Sequence, residues 1–169
     1  MTAIAQQVLV EAVLHVERLN FEARQKLADE IYARQPNLLA SIVVLEQYGA
    51  TLEQMESVLN LLLVWYEAMK RSGRSWPLIT EDDQDRCLQR LCAWARFNEG
   101  LSGQQQNQAV SDFIASHSEP QLLAYAYGKL GEYGWLGIDS ELKKYLVLST
   151  LNLVECIADT APKTGASRK

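Results

Sequence analysis

Apolar residues recur at three- and four-residue spacing along nearly the whole chain, and alternating runs rich in β-branched residues are missing. That periodicity predicts helices throughout and no sheet. About eight helices can be placed. The first covers residues 3–19, capped by Thr2, with Leu9, Val10, Val13, Leu14 and Val16 facing inward; the second, over 22–34, has a thin stripe of Leu27 and Ile31. A third opens at Pro36, where a missing N–H is harmless in the first turn, and stops at Gly49, a residue suited to a left-handed ending.

The fourth begins at Thr51, where TLEQ has the form of a capping box, and runs to about residue 70. Its apolar residues, among them Val58, Leu61, Leu62, Leu63, Val64 and Trp65, cover more than one face, so other helices must surround it. Residues 71–79 read as a linker, after which Thr80 and Asp83 restart a helix with a second capping-box pattern.

Beyond the linker the pattern returns. EPQLLAYAYGKLGEYG at 119–134 echoes QPNLLASIVVLEQYG at 35–49, with Pro36 set on Pro120, Leu38 on Leu122 and Tyr48-Gly49 on Tyr133-Gly134. A displacement of 78 residues sets Thr2 on Thr80 and Asn20 on Asn98; one of 88 sets Leu63 on Leu151 and Glu67 on Glu155. The insertions fall in loops, apart from one residue near Gly128. The expectation is an all-α fold made by tandem duplication of a four-helix unit, repeats 2–70 and 80–158, packed about a pseudo-twofold axis in a single domain over 1–159. A short right-handed stack of helix pairs, architecturally like HEAT or armadillo segments, is the alternative. In the twofold arrangement the fourth and eighth helices pack on each other and the thin second and sixth lie outside.

Charge and cysteine content narrow the function classes. Sixteen basic and twenty-one acidic side chains give a net charge of −5, and since the last ten residues hold three bases and no acid, the body carries −8. Phosphate backbones are bound by cationic faces, so no nucleic-acid partner is expected. The basic clusters are Lys70, Arg71 and Arg74 around the linker, read as a solvated loop, and the tail over 160–169, read as disordered. Three cysteines cannot all pair within one chain and suit a reducing compartment, which gives a cytoplasmic expectation. The longest apolar run, residues 61–66, is too short to span a bilayer, so no membrane partner is expected.

Candidate chemistry is sparse. His15 and His117 are the two histidines and neither follows a glutamate by three residues, so a di-metal bundle is not expected; Cys87 and Cys92, five apart, diverge and read as small core residues, and no cofactor is implied. Glycines 128, 131, 134 and 137 follow no strand and read as a weakened helix end and a loop, not as a phosphate cradle. Two polar pairs repeat: Arg18 with Glu67 and Arg96 with Glu155, expected as structural bridges, or alternatively as a pocket where the repeats meet. The second repeat adds aromatic residues, Tyr125, Tyr127 and Trp135, and the linker holds Trp76; these four are the candidate partner-binding residues. The reading leans away from an enzyme. It favours a non-catalytic adaptor or regulatory subunit that binds another protein, with a small-molecule binder or enzyme and a homo-oligomeric structural part as alternatives.

Overall fold

The structure, a computed structural model, describes residues 2–163. Eight α-helices and one 3₁₀ turn make up the described residues, without strands: α1 (Gln6–Glu17), α2 (Phe21–Arg34), α3 (Pro36–Val43), the 3₁₀ turn Val44–Tyr48, α4 (Leu52–Arg71), α5 (Glu81–Asn98), α6 (Gly103–Ser116), α7 (Pro120–Glu132) and α8 (Glu141–Thr160). The tail expectation, beyond residue 163, lies outside the described residues.

Local chemistry sets most boundaries. Both expected capping boxes form: Thr51 Oγ1 accepts from the Gln54 N–H while Gln54 accepts from the Thr51 N–H, and Thr80 and Asp83 reciprocate in the same way. Pro36 and Pro120 occupy first turns. The third helix, expected to reach Gly49, passes after Val43 into the 3₁₀ turn, yet the two segments end alike, with Gly49 at φ 90° and Gly134 at φ 72°, and with the Ala50 and Trp135 N–H groups returning to the Leu45 and Leu130 carbonyls.

Two boundaries differ from the sequence expectation. α1 is capped at Ala5, not Thr2, because the segment before it is extended and Ile4, only 2% exposed, is drawn into the interior, where its N–H donates to Glu119 Oε2 at 2.8 Å. The long loop expected after α5 is mostly helix: Ser102 and Gln105 form a third capping box that starts α6.

Within each half the packing has the same plan. α1 lies on α4 and α5 on α8; α3 lies on α4 and α7 on α8; α2 covers α3 and α6 covers α7. The halves meet where α4 packs on α8, α1 on α7 and α3 on α8. α4 and α8 supply the largest share of the core, whereas α2 buries Leu27 and Ile31 and α6 buries no side chain fully.

The inward face of α1 is rotated from the expected one. Leu9, Ala12 and Val16 are buried, while Val10 and Leu14 remain 48% and 43% exposed. The small Ala12, fully buried, lets α1 approach α4 closely, and that choice of face turns Val10 and Leu14 outward. Buried Ile4, Ala12 and Val16 match buried Ile79, Cys87 and Leu91 at a constant displacement of 75 residues, one turn away from the displacement of 78 suggested by the caps. No helix of the described residues is long and apolar enough to cross a membrane.

Candidate functional site

The repeated glutamates are paired, but not with the arginines the sequence suggested. Glu67, 5% exposed in the last turns of α4, is held by Arg71 Nε at 2.9 Å and Lys70 Nζ at 3.4 Å, with His15 Nε2 at 3.9 Å. Arg18 is exposed at the end of α1. Its distance from Glu67 follows from helix direction: Glu11 lies against Arg71 and His15 against Glu67, so α1 runs opposite to α4 and carries Arg18 one turn past the carboxylate. At the next level Arg24 takes the polar contact instead, donating to Asn60 Oδ1 at 2.6 Å.

In the second half Arg96 is likewise exposed, and Glu155 is served by His117, whose Nε2 lies 2.8 Å from Oε1. The tautomer follows from the other ring nitrogen. His117 Nδ1 accepts the Glu119 N–H at 3.1 Å, so the ring proton is on Nε2 and is donated to Glu155. Both ring nitrogens are thus occupied by the protein. Phe113 meets the ring edge at 5.6 Å, and together with Arg90 and Asp159 these residues line a small cleft of about 250 Å³. Glu67 and Glu155 share no partner, so the two carboxylates do not form a common site.

The four aromatic candidates are dispersed. Trp76 closes the seam: its indole N–H donates to the Ile157 carbonyl at 2.9 Å, and the Arg74 guanidinium lies 4.6 Å from the ring. Trp135, 6% exposed, is a core residue tilted against Tyr133 at 4.9 Å, which removes its indole from the surface. Tyr127 is half-buried, and burial together with the Glu155 carboxylate pushes its hydroxyl well above the ordinary phenol range. Tyr125, two residues earlier and therefore turned to another side of α7, is half-buried beneath Lys129, whose Nζ is 5.8 Å from the ring; burial raises its hydroxyl also.

The cysteines divide as well. Cys87 and Cys156 are buried in the α5–α8 contact and Cys92 is half-buried. The hydrogen bond with the adjoining Cys87, together with burial, holds the Cys156 thiol far above its usual range. Among the described residues no group of three or more histidine, cysteine or acidic side chains is arranged to hold a metal.

A feature missed in the sequence is the larger cleft, about 430 Å³, where the end of α4, the end of α2 and the linker converge. Its walls carry Arg34, Lys70 and Arg74 with Tyr66 and Trp76. The sequence signal was the basic cluster around Gly73, which reads as a solvated loop until Arg74 is seen to be only 12% exposed and bonded to Glu119. No protein-family model matches the chain, and comparison with curated proteins and with solved structures gives no similar protein.

Proposed function

We propose that the protein is a non-catalytic helical interaction module, an adaptor or regulatory subunit, built from two copies of a four-helix unit and receiving another protein on the outer side of α1. One observation carries this reading: α1 is apolar on two faces and uses one. Leu9, Ala12 and Val16 serve the core, while Val10 and Leu14, one turn apart, remain about half exposed. Phe21, at the start of α2, is a further exposed aromatic at 84%, and α7 packs against α1. Clusters of this kind on a helix face suit partner binding, where aromatic and aliphatic anchors dominate the energetics. The engagement of Glu67, Glu155 and both His117 nitrogens with internal partners favours a structural role for these groups over a catalytic one.

The test is affinity purification from the native cell with the wild type and with a Val10→Asp/Leu14→Asp double variant. A protein retained by the wild type and lost by the variant, with an unchanged melting temperature, supports the assignment. An identical set of bound proteins rejects it, and light scattering of both forms separates a foreign partner from a second copy of the chain.

A further inference from the structure

The larger cleft has a composition opposed to that of the surface as a whole. The chain is acidic, at −5, yet three cations stand on the walls of this cleft and the lining residues include no carboxylate. Its volume, about 430 Å³, falls within the range of small-molecule sites.

Arg74 is the fixed element. One guanidinium nitrogen donates to buried Glu119 at 2.8 Å and the plate rests on Trp76, so the side chain is held on two sides while its other N–H groups remain for the cleft it lines. Lys70 enters from the last turn of α4, tethered by Glu30 at 3.1 Å and Glu67 at 3.4 Å. Arg34 comes from the end of α2; it is 74% exposed and its carboxylate neighbour, Glu30, is 4.0 Å away, so its charge is the least committed of the three.

Glu30 also accepts from the Tyr66 hydroxyl at 3.2 Å; neither it nor Glu67 nor Glu119 is among the residues that line the cleft. An anion in hydrogen-bond range of the cations competes with these carboxylates for them, and Coulomb attraction is strongest at that short range. Gly73, at φ 72°, has open space where a side chain would stand, and the linker backbone can be approached closely there. Trp76 is half-buried in the lining, and Tyr66, also in the lining, is 4% exposed with Lys70 Nζ 5.7 Å from its ring.

From this geometry we infer that the cleft binds a small phosphate monoester, its phosphate held by Arg34, Lys70 and Arg74 and its body resting against Trp76. A dianion with three acceptor oxygens matches three converging cations better than a carboxylate with two. This site is separate from the α1 surface and stands or falls independently of it.

The probe is phenyl phosphate, titrated into the intact chain and followed by amide and indole nuclear magnetic resonance, with benzoate and phenol for comparison. Phenyl phosphate should give saturable shifts at the Gly73 and Arg74 amides and the Trp76 indole N–H, and benzoate should bind more weakly. Arg34→Gln, a change at an exposed position, should weaken phenyl phosphate by about tenfold or more with the melting temperature unchanged, as expected for loss of one charge-assisted contact. Lys70→Gln repeats the test from the second wall. Shifts that rise linearly with concentration, scatter over surface lysines or persist equally in Arg34→Gln would overturn the assignment.

Discussion

Gln35 and Glu119 occupy the same place in the two halves, each just before a helix-opening proline, and each accepts the backbone N–H of a buried isoleucine in the segment that leads into the first helix of the other half. Gln35 Oε1 takes the Ile79 N–H at 2.9 Å, and Glu119 Oε2 takes the Ile4 N–H at 2.8 Å. Both side chains are almost wholly buried, at 3% and 2% exposure. The remaining groups are satisfied too: Gln35 Nε2 donates to the Pro77 carbonyl and Glu119 Oε1 accepts from Arg74. A reciprocal clasp therefore ties each half to the entry segment of the other.

Glu119→Ala is expected to be among the most damaging single changes, because it strands the buried Ile4 N–H and leaves Arg74 without its counter-charge. Removing one partner of a buried ion pair costs about 3–5 kcal/mol. Gln35→Ala removes neutral hydrogen bonds and should cost about 1–3 kcal/mol. Urea unfolding of the two variants checks the order; equal losses would contradict the role given to the Glu119 charge.

A second expectation concerns acid. Hydrogen bonds from the Thr80 N–H, the Arg86 guanidinium and the Thr80 hydroxyl hold the Asp83 carboxyl down at about 2, and Arg86 with Arg90 lowers Asp159 in the same way. A carboxyl lowered on folding stabilises the protein above its unfolded value, about 3.9, and that contribution is lost as pH falls through the folded value. The melting temperature should therefore drop between about pH 4 and pH 2, and Asp83→Asn should flatten that part of the profile. A profile unchanged by the substitution would show that Asp83 is not linked to folding.

His117 should behave as a structural residue. Its ring connects the Glu119 N–H to the Glu155 carboxylate at the α6–α7 junction, and both side chains are largely buried. His117→Ala should destabilise by about 2–4 kcal/mol, whereas His15→Ala, at a position 44% exposed and 3.9 Å from its carboxylate, should stay within about 0.5 kcal/mol. Calorimetry of the two variants decides; similar effects would reject the assignment of His117 as a connector.

The parts legible in the sequence were those fixed by local chemistry. Thr51 with Gln54, Thr80 with Asp83, the two prolines and Gly49 mark boundaries through bonds made within one turn, and they stand where the pattern placed them. Ser102 with Gln105 carried the same signal, but the surrounding Gly and Gln residues resemble a loop. What was hidden depends on contacts distant along the chain. Nothing near Ile4 announces that Glu119 will take its N–H, and nothing near Val10 says that Ala12 will be the residue pressed into the core. The polar pairs failed in two ways. Glu67 found Arg71 one turn away on its own helix, a local partner, whereas Glu155 found His117, 38 residues away beyond α7, and neither choice can be read from residue type alone.

The central claim is that the two halves share one interior, clasped at Gln35 and Glu119 and centred on the α4–α8 contact. Native-state hydrogen exchange of the full chain tests it most directly. The buried amides of α4 and α8 should open together, with free energies equal within about 1 kcal/mol and equal to that of global unfolding. If one of these helices opens well below the other, each half is a separate folding unit and the shared interior is contradicted.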